Sequence, residues 1–291
     1  MERRFLFFYS HSLHILEMLG NTNSYRNEFY IRVVILMLKI LSVPFAETNM
    51  EETVSWTNER IEKSLSTFIV TANPETVMLA KKDLNFHRVL CSADIVMPDG
   101  IGIIYASKIL GNSLKGRVAG YDMLHALLQY RENKCKPTKL FLLGGTEEVV
   151  RAAREKLAKL YSHVQISGAH HGYFEKNSEE ESNIVKLISK EKPDLLLVGT
   201  GNPKQEEFIH RYKNELDATV MIGVGGCFDV LSGKISRAPI IFRRLGLEWF
   251  YRLLREPTRI KRQIVLPIFV FQVLKHRVIN GRSAIEVKAT K

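Results

Sequence analysis

Residues 138–161 read TKLFLLGGTEEVVRAAREKLAKLY, and this stretch decides the fold class. The first part, TKLFLLGG, is a continuous apolar run ending in two glycines, which is typical of a strand buried on both faces. The second part repeats its apolar residues at helical spacing, and Thr146 stands where a helix N-cap is expected. The stretch predicts one strand-loop-helix unit of an α/β protein.

The same unit recurs along most of the chain. Short apolar runs, each followed by a helical stretch, occur at residues 67–72 (TFIVTA), 93–100 (ADIVMPDG), 164–174 (VQISGAHHGYF), 194–201 (DLLLVGTG) and 218–226 (ATVMIGVGG). LKILSVPF at residues 38–45 is expected to form the first strand, and PETVMLAKKDLN at 74–85 a single helix. This alternation predicts a Rossmann-like parallel sheet with helices on both faces.

Positive charge is confined to the C-terminal part of the chain. Residues 234–291 hold 14 Lys/Arg against 3 Asp/Glu, whereas residues 1–233 hold 28 of each, so the net charge of +11 belongs to the tail. Aromatic residues stand beside this charge, which favours contact with an anionic membrane surface or an anionic lipid substrate. A solvated basic helix packed on the core is the simpler explanation, and nucleic acid is a weaker third one because no nucleic-acid motif accompanies it.

Bulk composition is that of a globular protein, with 45% hydrophobic and 25% charged residues. The three cysteines suggest neither a disulfide framework nor a metal site, and a reducing cytoplasm is the simplest compartment. No apolar run reaches the roughly 18–20 residues of a membrane-spanning helix. We expect an N-terminal extension of unknown role at 1–36, a Rossmann-like α/β domain at 37–233 and a basic aromatic, helical appendage at 234–291. The extension is either a membrane-associating element or sequence upstream of a start at Met37.

Loops at the carboxyl ends of the strands are the expected ligand site of such a sheet. Asp99 follows a strand within Met97-Pro98-Asp99-Gly100, where a carboxylate could act as a general base, although the same sequence also makes an ordinary turn. Glycine-rich turns at residues 144–145 and 225–226 expose backbone N–H groups, but they match neither a P-loop nor a dinucleotide fingerprint.

Metal-binding motifs are not found in the sequence. It has no D-x-D, H-E-x-x-H or clustered Cys/His pattern, so we expect no metal and no cofactor. The pair His170-His171 at a strand end is expected to line a pocket without a catalytic role. Arg117, in a loop before a helix, is a candidate partner for a diphosphate because a guanidinium suits phosphate oxygens.

Eight segments taken together resemble the WecG/TagA/CpsF family of glycosyltransferases in order, spacing and residue identity over roughly residues 39–265. These are TANPE, MPDGIGI, RVAGYDML, LFLLGGTEE, GYF, LLLVGTGNPKQE, GVGGCFDVLSGKISRAP and LEWFYRLLREPTR. The resemblance implies an inverting, metal-independent transferase that uses a UDP-sugar donor and a polyprenyl-diphosphate-linked sugar acceptor. N-acetylmannosamine transferred to lipid-linked N-acetylglucosamine, as in wall teichoic acid synthesis, is the leading expectation. A uronic acid donor or another polysaccharide pathway is the alternative.

Carried over by position, the resemblance implies a catalytic base and a set of substrate-binding residues. Asp99 takes the role of base. The implied substrate-binding residues are Thr71, Asn73, Arg117, Gly144, Gly145, Gln205, Gly225, Gly226, Arg252, Arg259 and Arg262. The tail arginines belong to an appendage thought to close over the active site and to engage the membrane or the lipid diphosphate. Residues 1–36 have no counterpart in the family.

Other function classes and partners follow from the same features. A Rossmann-like oxidoreductase or methyltransferase is disfavoured by the absent dinucleotide fingerprint, and a non-enzymatic membrane-binding adaptor would rest on the tail alone. The expected location is cytoplasmic, peripheral on the inner face of the cell membrane, with no nucleic-acid partner. A homo-oligomer is left open.

Overall fold

The computed structural model describes the backbone of residues 34–281 and 285–289, and the side chains of residues 36–281 except those of Arg244, Arg259, Lys261 and Arg262. The strands are β1 Val34–Ile40, β2 Val43–Ala46, β3 Thr67–Ala72, β4 Ile95–Pro98, β5 Thr138–Gly144, β6 Val164–His170, β7 Leu195–Gly199, β8 Val220–Gly223 and β9 Ile285–Ala289. Within this part of the chain, β4-β3-β8-β7-β5-β6 form a six-stranded sheet in that order, with every pair parallel. The predicted parallel sheet is confirmed.

Helices follow nearly every strand of this sheet. In the body they are α1 Met50–Glu62, α2 Pro74–Lys82, α3 Leu84–Ser92, α4 Ile101–Ile109, α5 Gly120–Glu132, α6 Glu147–Leu160, α7 Glu179–Glu191, α8 Lys204–Tyr212 and α9 Cys227–Leu231. In the tail they are α10 Ile240–Arg244, α11 Glu248–Arg255, a 3₁₀ turn at Pro257–Arg259, α12 Ile260–Gln263 and α13 Val265–Asn280. Thr146 caps α6 as expected, since its side chain accepts a hydrogen bond from the Val149 N–H.

The sheet is buried on both faces. Phe141 and Leu143 of β5 belong to one apolar cluster, and the alternate residues Leu140 and Leu142 belong to the other. All four side chains are fully buried. Successive residues of a strand point to opposite faces, so an uninterrupted apolar strand indicates helices on both sides, which is why the sequence predicted this layer so directly.

Two predicted elements differ from those observed. The single strand expected at residues 38–45 is a hairpin, because Leu41 and Ser42 both have positive φ, 48° and 77°, and turn the chain back so that β2 runs antiparallel to β1. The single helix expected at 74–85 is two helices. Asp83 ends α2 with an extended backbone and its carboxylate accepts from the N–H groups of Asn85 and Phe86 to begin α3.

The tail is joined to the body at two places. β9 pairs antiparallel with β1, so β2-β1-β9 form a small second sheet that brings the two ends of the described chain together. α13 packs against α2 and α4, and its Phe269 and Val273 are buried in the same cluster as β3. The appendage is therefore helical as expected, with a terminal strand added. Residues 1–33, most of the predicted extension, lie outside the described part of the chain.

Candidate active site

Thr71, Asn73 and Asp99 lie together at the carboxyl edge of the sheet. β3 and β4 are neighbouring parallel strands, with Ala72 opposite Pro98, and the Asp99 N–H donates to the Ala72 carbonyl at 2.9 Å. Gly100 follows with φ +93°, a left-handed conformation that turns the chain sharply into α4 and leaves Asp99 at the strand end. The side chain predicted as a base thus stands at the edge where ligands bind such sheets.

Asn73 and Thr71 also make hydrogen bonds that stabilise the ends of the neighbouring helix and strand. The Asn73 Oδ1 accepts from the Thr76 N–H at 3.0 Å and so caps α2. The Thr71 hydroxyl donates to the Gly223 carbonyl of β8 at 3.2 Å, and the start of α5 at Gly120 lies against the same side chain. Both residues therefore fix the walls around Asp99, and their contacts with a substrate remain a prediction.

Charged side chains from the body and the tail surround Asp99. Burial raises the pKa of Asp99 to about 6, against an ordinary value of 3.8. Arg117 and Arg252 act in the opposite direction and lower this pKa, whereas Glu248 and Asp122 raise it. A carboxylate with a pKa near 6 is ionised at neutral pH and still takes up a proton readily, which is the property a general base needs.

Arg117 stands at the centre of an ion-pair network. Its Nη1 lies 3.5 Å from Glu248 Oε2, and its Nη2 lies 3.7 Å from Asp122 Oδ2. Glu248 Oε1 accepts from Arg252 Nη2 at 2.7 Å, and Asp122 Oδ1 accepts from Arg237 Nη2 at 2.5 Å. Arg117 and Arg252, both predicted from the sequence, are thus brought together beside Asp99. The side chains of Arg259 and Arg262 lie outside the described part of the structure.

The backbones at the ends of β5 and β7 are in direct contact. A Cβ on Gly144 would lie 2.5 Å from the carbonyl group of Gly199, and a Cβ on Gly199 would lie 2.8 Å from the Phe228 ring. No side chain fits in these spaces, so the loop of Gly144 and Gly145 and the loop of Gly225 and Gly226 close around the β7 end. The structure places these loops next to each other, and their role in nucleotide binding remains a prediction.

Gln205 supports a loop from within the protein. Its side chain is buried, its Oε1 accepts from the Gly225 N–H at 2.9 Å, and its Nε2 donates to Glu206 Oε1 at 2.7 Å. Glu206 is fully buried, and burial raises its pKa to about 7. Both polar atoms of the Gln205 amide therefore have partners inside the protein, and the predicted substrate contact is not tested by this arrangement.

One group of side chains in the described residues could hold a metal ion. Ligand atoms of His170, His171 and Glu180 lie within 4.8 Å of one another. The Tyr173 N–H donates to His171 Nδ1 at 3.3 Å, which leaves the His171 proton on Nε2, 3.5 Å from Glu180 Oε1. Both nitrogens of that imidazole are then engaged with protein atoms. The sequence missed this group because Glu180 comes from the next helix.

Glu248, Asp122 and Arg237 were also missed from sequence. Glu248 carried a usable signal, since it is one of only three acids among the 58 residues of a segment with 14 basic ones. Asp122 and Arg237 carried none, because an acid in the first turn of a helix and an arginine in a loop are both ordinary.

Large apolar side chains are exposed on the tail helices. They include Ile241, Leu245, Leu254, Ile264 and Phe271. Leu253, Leu254, Pro257 and Ile260 line an open apolar groove. Across the described residues, none of the helices has both the length and the apolar character required to cross a lipid bilayer.

Comparison with known proteins agrees with the motifs in the loops. The model of the glycosyl transferase WecG/TagA/CpsF family matches residues 38–283. Three bacterial relatives bear the name N-acetylglucosaminyldiphosphoundecaprenol N-acetyl-beta-D-mannosaminyltransferase. That of Bacillus subtilis strain 168 is 36% identical over 237 residues, 81% of this chain and 90% of its own length.

The other two relatives are similar to the same extent. That of Bacillus spizizenii strain W23 is 38% identical over 74% of this chain and 82% of its own length. That of Staphylococcus aureus strain MW2 is 38% identical over 81% of this chain and 91% of its own length. The family match and the extent of these similarities confirm the resemblance, and the chain belongs to the WecG/TagA/CpsF family of glycosyltransferases.

Proposed function

We propose that this glycosyltransferase moves N-acetylmannosamine, with inversion, from a UDP-sugar to N-acetylglucosamine linked to a polyprenyl diphosphate. The observation that carries the proposal is the partly buried Asp99 at the sheet edge, with Arg117 and Arg252 beside it. The relatives are named for N-acetylmannosaminyl transfer to a lipid-diphosphate N-acetylglucosamine, which supports the choice of sugars. Such a linkage would begin a cell-surface polymer of the wall teichoic acid type.

Asp99 acts as the general base in this proposal. An acceptor hydroxyl attacks the anomeric carbon of the donor sugar, and its proton passes to the Asp99 carboxylate as the new C–O bond forms. The bond from the anomeric carbon to the diphosphate breaks on the opposite side, and its electron pair leaves with UDP. One displacement of this kind inverts the anomeric configuration.

Arginine side chains and backbone N–H groups meet the charge that develops on the leaving diphosphate. Arg117 and Arg252 are within reach of the Asp99 edge. Backbone N–H groups of the glycine loops at residues 144–145 and 225–226 are proposed to contribute as well, apart from the Gly225 N–H, which donates to Gln205. Donors fixed before the reaction stabilise a developing charge without reorganising during it. Arg259 and Arg262 are proposed to add to this cationic set.

The tail is proposed to meet the lipid-linked acceptor at the inner face of the cell membrane. Its exposed apolar side chains suit the acyl-chain region of a membrane interface, and its excess of basic residues suits the anionic headgroups. The protein would then work as a peripheral enzyme, with the acceptor diphosphate at the level of the tail arginines.

The decisive experiment is a panel of UDP-sugars incubated with a short-chain lipid-diphosphate N-acetylglucosamine, with UDP release as the readout. We expect release with UDP-N-acetylmannosamine, and the same rate with and without EDTA. Release only with the uronic acid donor would replace the proposed sugar, and loss of activity in EDTA that Mg²⁺ or Mn²⁺ restores would overturn the metal-independent mechanism.

Binding measurements separate the proposal from other function classes. Titration with UDP, NAD and a random oligonucleotide should show binding of UDP alone. Binding of NAD would favour an oxidoreductase. Binding of anionic vesicles with no binding of any nucleotide would favour an adaptor that works through the tail.

A further inference from the structure

Glu248 holds two arginines from different parts of the chain. It begins α11 in the tail, and its side chain is only 15% exposed. One carboxylate oxygen accepts from Arg252 at 2.7 Å, within the same helix, and the other lies 3.5 Å from Arg117 of the body. The carboxylate therefore occupies a single anionic position between two guanidinium groups.

This bridge is part of an alternating chain of charges between the body and the tail. Arg237 of the tail pairs with Asp122 of the body, Asp122 faces Arg117, and Arg117 faces Glu248. Two tail segments are thus joined to the loop of Arg117 and to the first turn of α5, which follows it, by charged contacts of 2.5–3.7 Å. Without Glu248, the positive groups of Arg117 and Arg252 would face each other with no charge between them.

The network lies within the electrostatic reach of Asp99. Arg117, Asp122 and the α11 pair of Glu248 and Arg252 all affect the Asp99 pKa, and Glu248 raises it. Cys227 of α9 also interacts with Asp99, and burial raises the pKa of its thiol to about 12, so it is neutral across the useful pH range. Removing the negative charge of Glu248 should therefore move the Asp99 pKa downward.

We propose that Glu248 is a positioning residue for sugar transfer, because its carboxylate fixes Arg117 and Arg252 on either side of one anion position beside Asp99 before the diphosphate arrives. The inference rests on the proposed function. Two cations held in advance can meet the leaving diphosphate without reorganisation, whereas two cations with no anion between them repel each other and must be brought together in each turnover.

Glu248→Gln tests this inference because it removes the charge and keeps the size of the side chain. We expect kcat to fall about 10- to 100-fold, while the Kd for UDP stays within about threefold of the parent or tightens, since a negative charge has left the site. We also expect the acidic limb of the pH profile of kcat/KM to move to lower pH. A purely structural role would weaken UDP binding and would leave that limb in place.

Two further variants make the test complete. Glu155→Gln, on the exposed side of α6, removes the same charge from the protein and should leave kcat and the pH profile unchanged. Glu248→Asp keeps the charge but shortens the reach, so it should lower kcat while the acidic limb stays at the parent pH. If Glu248→Gln fails to give a cooperative unfolding transition, Glu248→Asp alone carries the test.

Each unfavourable outcome has a distinct meaning. Parent-like kcat and an unmoved acidic limb in Glu248→Gln, or parent-like kcat in Glu248→Asp, would overturn the positioning role. If the parent itself releases no UDP from any UDP-sugar, the proposed function fails before a variant is measured. An active parent with an equally active Glu248→Gln variant removes only the inference about Glu248.

Discussion

At the residue scale, Asp99 is the residue that we propose as the general base. We expect Asp99→Asn to lower kcat by about a hundred- to ten-thousand-fold, because the amide cannot accept the acceptor proton. Binding of UDP should stay close to that of the parent, since size and shape are kept. Kinetics with the lipid acceptor and calorimetric titration with UDP measure the two quantities.

The pH profile adds an independent check on this residue. With a pKa of about 6, Asp99 should lose its base form as the pH falls below 6, so the parent kcat/KM should decline there. Near-normal turnover of Asp99→Asn, or a parent profile that stays flat down to pH 4.5, would remove Asp99 from the role of base.

Stability should respond to the same shift. Because the folded-state pKa of Asp99, about 6, lies above its ordinary value of 3.8, this group contributes stability below pH 3.8 that is lost as the pH rises through 6. Asparagine has no such loss. Asp99→Asn should therefore gain stability over the parent between pH 4 and pH 8, by at most about 3 kcal/mol for a shift of roughly two units. Urea unfolding of both proteins at the two pH values measures this gain, and a constant difference between them would contradict it.

Sequence reasoning singled out Asp99 as the proposed base but did not predict the charged side chains around it. Asp99 was predicted because a carboxylate between proline and glycine at a strand end is visible in one segment. Glu248 was missed because its importance comes from Arg117, which is 131 positions away in the chain. The hydrogen bonds of the Gln205 amide with Gly225 and Glu206 were not predicted, because nothing in the sequence specifies which way a side chain in the first turn of a helix points, and its substrate contact remains a prediction.

At the element scale, the strand ends are held together by backbone contact rather than by side chains. Gly144 has a φ of +148°, and a Cβ there would meet the Gly199 backbone at 2.5 Å. We expect Gly144→Ala to lower the free energy of unfolding by at least ~2 kcal/mol and to weaken UDP binding, because two strand ends must separate. Denaturant unfolding and UDP titration measure both effects.

Gly116 provides the control for that substitution. A Cβ at this position would meet nothing within 4 Å, and its φ lies outside the left-handed range. Gly116→Ala should therefore leave the free energy of unfolding unchanged or raise it by up to ~1 kcal/mol. Equal stability losses in the two variants would show that the close contact of the β5 and β7 ends is not the reason why Gly144→Ala is destabilising.

Helices and strands were predicted well where the apolar pattern is continuous. They were predicted poorly where the backbone conformation of one or two residues sets the boundary of an element. The buried strands β5 and β7 are visible as apolar runs, and their helices follow from the spacing of apolar residues. The β1-β2 hairpin depends on positive φ at Leu41 and Ser42, which are not typical turn residues for that conformation. The division of α2 from α3 depends on the backbone of Asp83, a residue equally common on helix surfaces.

At the scale of the whole molecule, the tail is part of the fold as well as of the proposed site. Phe269 and Val273 of α13 are fully buried in the core shared with β3, and β9 pairs with β1. Burial of two such side chains contributes roughly 1.5–3 kcal/mol each. Deleting everything after Gly233 therefore removes core as well as charge, so loss of activity in that truncation cannot be assigned to the arginines alone. The domain division at residue 233 remains a prediction from charge.

Replacing Arg252, Arg259 and Arg262 together with alanine separates charge from core. The substitutions leave Phe269, Val273 and β9 in place, so a cooperative unfolding transition should remain. Each basic residue near an anionic membrane contributes about 1 kcal/mol of attraction. Binding to vesicles rich in anionic lipid should therefore weaken and become less dependent on salt.

Transfer should fall in the same variant even with a short-chain acceptor and no membrane present. The reason is that these arginines are proposed to meet a diphosphate as well as a lipid surface, and Arg252 already lies beside Glu248 at the Asp99 edge. Substitution of Lys156, Lys159 and Lys190 with alanine removes the same charge from α6 and α7 and is the matched control. A triple arginine variant that binds vesicles and transfers sugar as the parent does would show that these arginines form only a solvated surface. Arg117 would then remain as the proposed cation of the active site.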